Sequence, residues 1–345
     1  VEHAILVPQC RVGIYLALKN LIQPGQKVIM SPYTIVDVSN MVLLAGGRPD
    51  YVDVERHSCN ISADLVEKRL GADTGAVLIT HLHGMAAEAD RIRTLCAKHG
   101  VPLLEDCAQA FGTREKGRLV GTFGQAGIFS FGMYKNVNTW LGGAILTDDS
   151  SLAEKIRSEL TAFQASPRPM LRIKLQAGLL SDLLTHPIVF KLFTFWIFRF
   201  AFLHNLEFIN KKVRIELDAS RRSVFPDQYR FSFTGPQARL ALRQLETVDK
   251  LSQNRIEKGL LYYEGLKDIE ELIVPPSRSD FSHTYTYFPI QYRDRDVLIK
   301  FLMKHCRDLA AQHYKNNADL EDFREFFQDC PAARAVASEL IFLPT

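Results

Sequence analysis

Along the first 150 residues, short apolar runs alternate with stretches in which apolar residues recur every three or four positions. The periodic stretches predict helices over 11–22, 35–44, 63–70 and 90–99. The runs predict strands over 27–30, 49–54, 76–80, 102–105, 128–131 and 144–147. Gln23-Pro24-Gly25 and Gly46-Gly47 punctuate the pattern as turns. Strands alternating with helices imply an α/β fold with a mainly parallel sheet. In such sheets ligands gather where strands end and helices begin. Beyond residue 152 the rhythm changes. A long periodic helix over 234–251, running on to 266, an alternating strand over 285–292 and an amphipathic helix over 297–305 predict a smaller α+β unit. We therefore divide the chain into a large domain, 1–245, and a small C-terminal domain, 246–345. An irregular apolar and basic insertion lies at about 165–225.

Composition narrows the function. The 345 residues are 47% hydrophobic and 23% charged, and the formal net charge of +3 is too small to point to nucleic acid. The six cysteines are scattered without a CxxC pair, which favours a reducing, cytoplasmic setting over disulfides or a zinc site. His81 and His83 have no acid or cysteine close in sequence, so no metal is expected. No signal-like segment opens the chain. Val1 stands where a methionine would start it, so a truncated N-terminus is expected.

Candidate chemistry sits at two strand ends. The apolar run Pro102-Leu103-Leu104 closes on Glu105-Asp106, with Gln109 three residues on. In FSFGMYKNVN, residues 129–138, Ser130 and Phe131 close a strand and Lys135 follows five positions after the serine. Asp106 alone reads as a helix cap, and Lys135 alone as a soluble strand end. Taken together, a carboxylate, an amide, a hydroxyl and an amine in this order suit pyridoxal phosphate. That cofactor needs an amine to hold it, an acid at its pyridine nitrogen and a hydroxyl or helix-end amides at its phosphate.

At these residues the chain resembles the DegT/DnrJ/StrS sugar aminotransferases of fold type I. LLEDCAQAFGT, GRLVGTFGQAGIFSFGMYKNVN and GGAILTDD carry the likeness. PGQKVIMSPYTIVDVSNMVLLAGGRPDYVDVE, HLHG, FTGPQARLALRQL and CPAARAVASELIFLPT extend it over most of the chain except about 165–225. The resemblance implies pyridoxal 5'-phosphate as cofactor, an amino acid (usually glutamate) as donor, and a keto-sugar, nucleotide-linked or lipid-linked, as acceptor. It also implies a homodimer, and that N-terminal residues and a short C-terminal piece lie outside this chain. By the same likeness Lys135 matches the lysine that carries the cofactor and Asp106 the partner of the pyridine nitrogen. Gln109 matches the residue at the ring face or its hydroxyl, and Ser130 a phosphate ligand. A histidine in place of Lys135 would mark the family's dehydratases instead.

Departures from the family pattern matter too. Its Ser/Asn-Gly-Thr phosphate turn is replaced by Pro8-Gln9-Cys10-Arg11-Val12, where the helix start remains and Arg11 can add charge. The ring-covering aromatic falls at Ile35, with Tyr33 as a nearby substitute. The residue that reaches the partner subunit's phosphate falls at Arg230, and the glycine-rich turn after the lysine becomes Trp140-Leu141-Gly142-Gly143. The altered phosphate turn leaves one other reading open, a non-catalytic membrane-associated scaffold or regulator on the same fold.

HPIVFKLFTFWIFRFAFLHN, residues 186–205, lies outside the family pattern. Its apolar part is shorter than the roughly 20 residues of a membrane span and is broken by Lys191 and Arg199. A span, a buried helix or dimer contact, and a helix lying on a membrane surface are the alternatives. Between 168 and 222 there are ten Lys/Arg against four Asp/Glu, an excess that suits peripheral contact with anionic lipid. In that reading Lys191 and Arg199 snorkel to the headgroups.

Overall fold

The computed structural model describes residues 1–210, 219–311 and 314–345. Seven strands form the central sheet: β1 (His3–Val7), β2 (Lys27–Met30), β3 (Arg48–Tyr51), β4 (Thr74–Thr80), β5 (Leu103–Asp106), β6 (Ala126–Ser130) and β7 (Gly143–Thr147). Their order is β1-β7-β6-β5-β4-β2-β3. The run from β3 to β6 is parallel, and β7 and β1 close one edge antiparallel. Every residue of β4 is buried, as expected of a central strand covered on both faces. Helices α1 (Cys10–Leu21), α2 (Val36–Leu44), α3 (Ala63–Arg69), α4 (Ala89–His99) and α5 (Ser150–Leu160) supply the cover. Strand β1 and helix α5 lie beyond the elements the periodicity predicts. The α/β, mainly parallel fold class stands.

Two predicted elements change form. The long helix over 234–266 is two helices, Gly235–Leu245 and Val248–Leu266, broken at Glu246 and Thr247. No Gly or Pro marks the break, and both halves keep a helical period, so the pattern reads straight through. Gln237 and Gln244 tie the first half to the loop at 138–141, while Ile256 turns the second half into another core. The strand over 285–292 shrinks to Phe288–Gln291, because Tyr285 adopts φ 44 and bends the chain before the ladder starts. In the small sheet Leu340–Leu343 is central, antiparallel to both Phe288–Gln291 and Ala310–Ala311. Tyr314 and Val336 join the large core, and Lys315–Asn316 pairs with Tyr33–Thr34.

The insertion forms α6 (Arg168–Thr185) and α7 (Pro187–Leu203), bent by 61°. Pro187 at the start of the second helix lacks the amide to continue the first. Among the described residues no single helix is long and apolar enough to cross a membrane, although this bent pair passes by length and composition. Within α6 only Gly178 is buried, and a Cβ there would collide with the Trp140 indole. Helix α7 has two apolar faces. Phe195 and Ala201 are buried and Phe190 and Phe202 pack beside them in the small-domain core. Phe193, Trp196, Ile197 and Phe200 are exposed. The buried and surface alternatives for 186–205 thus each hold for one face. Arg199 does not snorkel: its guanidinium donates to Met303 O at 2.8 Å and Lys304 O at 3.3 Å, capping helix Arg295–Lys304. Of the basic residues read in the insertion, Lys211, Lys212 and Arg214 lie outside the described residues, as do Glu216 and Asp218.

Candidate active site

A cavity of about 450 Å³ opens where β5 and β6 end against the start of α1. Cys10, Arg11, Asp106, Gln109, Ser130 and Lys135 all line it. These six are brought together from three segments far apart in sequence. Arg230 is not among the lining residues. Its side chain is 53% exposed, with Nε 3.8 Å from Asp227 and the guanidinium over the Phe225 ring.

Asp106 ends β5 with its Oδ1 accepting from the Ala108 amide at 3.0 Å and from the Cys10 thiol at 3.7 Å. Its Oδ2 has no hydrogen-bond partner among the described residues. Burial pushes the carboxyl pKa up, and the Ala108 amide and the charge of Lys135 pull it back. Cys10 is held protonated, first by burial and then by Asp106. Lys135 makes no hydrogen bond or ion pair among the described residues. Burial lowers its pKa, the charge of Arg11 adds to that, and Asp106 and Cys10 oppose it. An amine so placed is a better nucleophile and proton carrier than a solvated lysine. Its neighbour Tyr134 sits at φ 64 and Trp140 at φ 62. Side chains rarely adopt such backbone, at a cost of about 1–3 kcal/mol each, so the surrounding contacts must hold this loop in shape.

Gln109 is buried and already engaged. Its Oε1 accepts from the His83 amide at 2.7 Å and its Nε2 donates to the Tyr314 hydroxyl at 2.9 Å. Ser130 Oγ accepts from the Gly132 amide at 3.3 Å. At the start of α1, Gln9 provides no side-chain cap, so the first-turn amides are left for another acceptor. Arg11 donates to Asp37 and, at 3.2 Å, to the Tyr229 hydroxyl. Arg222 Nε donates to the other Asp37 oxygen at 2.8 Å. Two guanidinium groups on one carboxylate leave a net positive charge beside the helix start. Arg11 therefore supplies charge as expected, but as half of a pair. Ile35 lines the cavity. The suggested substitute Tyr33 does not: it is fully buried, its ring 5.9 Å from Tyr314 and 6.4 Å from His83. As the first residue of the short paired strand Tyr33–Thr34 it packs in the core.

The histidines differ from the sequence expectation. His81, Glu105 and Cys107 lie with ligand atoms within 4.8 Å of one another. Their donors are nonetheless occupied. Glu105 accepts from the amides of Gly121, Phe123 and Gly124 and from His81 Nε2. His81 Nδ1 accepts from the Ala87 amide, and burial keeps the Cys107 thiol protonated. The cluster braces the loop after β5. Asp37, Arg222, Tyr287 and Tyr314 complete the cavity wall. Asp37 lies in the quoted stretch 24–55 without an assigned role there, the other three lie in no motif, and only folding brings the four near. An open carboxylate oxygen, a free amine and uncapped helix amides around one cavity match the chemistry of a pyridine nitrogen, an aldehyde carbon and a phosphate.

Comparisons with known proteins agree with this geometry. Residues 1–169 and 222–345 match the sequence profile of the DegT/DnrJ/EryC1/StrS aminotransferase family. The chain is 28% identical over 295 residues to the spore coat polysaccharide biosynthesis protein SpsC of Bacillus subtilis (strain 168). That match takes in 85% of this chain and 65% of SpsC, so the chain spans under two thirds of that relative. Among solved structures, DesI in the presence of its TDP-sugar product superposes with TM-score 0.71 at 22% identity, over 100% of this chain and 76% of DesI. Helicobacter pylori PseC, an aminotransferase involved in pseudoaminic acid biosynthesis, gives TM-score 0.73 at 21% identity, over 100% of this chain and 81% of PseC. At these identities the structural likeness establishes the fold.

Proposed function

The chain belongs to the DegT/DnrJ/EryC1/StrS aminotransferase family, and from that premise we propose that it holds pyridoxal 5'-phosphate in this cavity and moves an amino group from an amino acid, glutamate by family habit, to a keto-sugar. The observation that carries the reading is the pair Asp106 and Lys135, facing one cavity with an open carboxylate oxygen and an unpaired amine. When bound, the cofactor supplies an electron sink for cleaving a bond at the amino carbon. The chain's residues do the rest. Asp106 would face the pyridine nitrogen, where its carboxylate favours the protonated ring. Lys135 would hold the cofactor and, when released, carry a proton on its Nζ. Ser130, the first-turn amides of α1 and the net charge of Arg11 and Arg222 take the phosphate. Gln109 steadies the ring side. The relatives' names, with a TDP-sugar and a polysaccharide among them, support a sugar acceptor.

The working unit in this proposal is a homodimer, with Arg230 reaching the partner subunit's phosphate. It works at the cytoplasmic face of a membrane, which the exposed apolar faces of α6 and α7 touch peripherally. Absorbance tests the chemistry. Purified protein should carry a visible cofactor band that glutamate bleaches, and Lys135→Ala should abolish both band and turnover. Asp106→Asn should lower turnover about 10²-fold or more, since a neutral amide cannot keep the ring nitrogen protonated. A Lys135→Ala protein with full turnover would overturn the assignment. A band that no amino donor bleaches would favour the scaffold reading instead.

A further inference from the structure

We propose that a second groove, between α6 and the loop carrying Trp140, is the acceptor subsite, and that it takes a sugar linked through a diphosphate to a lipid. The inference rests on the aminotransferase reading above and names its substrate class. The groove measures about 650 Å³, within the size range that buries most of a small ligand. Trp140 and Leu141 line both this groove and the cofactor cavity, so they form the wall between the two. An acceptor lying in the groove thus has its sugar end beside Lys135's loop. From Met170 on, α6 falls outside the family match, so Leu171, Arg172, Lys174 and Leu175 are wall residues that the insertion adds to family-matched ones.

Charge indicates the head of the ligand. Arg168, Arg172 and Lys174 line the groove, and no acid does. None of the three makes an ion pair or side-chain hydrogen bond among the described residues. Arg168 and Arg172 stand four residues apart on one helix face, a spacing at which like charges repel. A multivalent anion relieves that repulsion, and two guanidinium forks with an ammonium suit a diphosphate.

The rest of the lining decides between a lipid and a nucleotide. A nucleoside needs free donors and acceptors to read its base. Apart from the Trp140 indole N–H, the groove's neutral polar side chains are already engaged within the protein. Thr139 Oγ1 donates to Leu141 O at 2.6 Å and Ser166 Oγ to Ser232 O at 2.8 Å. Thr234 Oγ1 donates to Gln237 Oε1 at 2.8 Å, and Gln237 Nε2 donates to Leu141 O at 2.9 Å. Leu171, Leu175, Pro236 and Leu240 offer apolar surface instead. Leu179 and Leu183 continue the groove side of α6 at four-residue spacing from Leu175 and are exposed, as are Ile173 and Leu180 on the adjoining side. An 18-residue helix with one buried residue is not stable against water by packing alone. A lipid tail leaving the groove along α6 into a bilayer covers these residues as well.

Trp140 and Trp196 are the only tryptophans in the chain. In a Trp196→Phe background Trp140 reports on the groove by its emission. Farnesyl diphosphate below its micellar concentration should change that emission saturably, at least tenfold more tightly than uridine diphosphate and than farnesol. Arg172→Glu with Lys174→Glu should weaken it at least tenfold. Arg172→Gln with Lys174→Gln should weaken it less, and circular dichroism should show both variants folded. Uridine diphosphate binding as tightly would mean a nucleotide site. Farnesol binding as tightly would mean unspecific apolar adsorption, and unchanged titrations in the charge variants would remove the diphosphate. Each of these results overturns the proposal. Glutamate bleaching on the same wild-type protein is a separate outcome. If it fails while farnesyl diphosphate still binds, the reaction is wrong and the groove stands as a lipid-diphosphate site without its acceptor role.

Discussion

Glu105 and Asp106 are adjacent acids on one strand, and the alternation of a strand sends them to opposite sides. Glu105 is fully occupied by three loop amides and His81, while Asp106 keeps an oxygen open to the cavity. The sequence shows both acids, and the family likeness picks out Asp106. Nothing in the sequence pairs Arg11 with Asp37 and Arg222, because that contact joins residues 185 positions apart. His83 offers a test at this scale. Both of its ring nitrogens are buried without a partner, and burial, with the charge of Lys135, pushes its pKa from 6.5 down to about 3. Between those values the unfolded chain binds a proton that the folded chain does not. Stability is therefore lost as pH falls through this window, by about 1.4 kcal/mol per pH unit for one such group. His283 is shifted the same way by burial, so the slope should be steeper still. Urea unfolding midpoints should drop between pH 7.5 and 5.5, and His83→Asn should remove one proton's share of the slope. An equal slope in that variant would show that other groups set it.

Element by element, the parallel strands and their helices were legible because buried strands carry continuous apolar runs. Strand β1 and the helix break at Glu246 were not, since neither leaves a mark in the apolar period. Helix α7 was legible as an apolar helix but not as a two-faced one, because its aromatics surround it. Its faces now separate two experiments. Replacing Phe193, Trp196, Ile197 and Phe200 by serine removes mainly exposed apolar area, with Trp196's ring contacts to Phe195 and Arg199. Flotation with anionic liposomes should be lost in that variant, while its melting temperature stays close to wild type. Phe195→Ser empties a core position and should cost about 3–5 kcal/mol, read as a lower urea midpoint. Liposome binding that survives the fourfold change would place the membrane contact elsewhere.

For the whole molecule, the exposed position of Arg230 makes a partner subunit the natural place for its guanidinium to act. Inactive Lys135→Ala and inactive Arg230→Ala subunits, mixed after dissociation, should regain about a quarter of wild-type turnover, because half of the random dimers hold one intact site. An Arg230→Ala protein with full activity and unchanged cofactor affinity would remove the residue from the site. The insertion meets the rest of the chain at several places, among them the Arg222–Asp37 pair. Gln164 and Phe231 bridge at its base, with Ser232 N donating to Gln164 O at 2.7 Å. Gly178 rests on Trp140, beside the cofactor cavity. Phe195 and Arg199 rest on the small domain. The two helices therefore link the Trp140 loop to the core around Phe288 and Ile299. Any rotation of that core must either carry α7 along or open the 61° elbow at His186. A surface that grips both helices fixes the elbow, and with it the spacing of the two halves of the molecule.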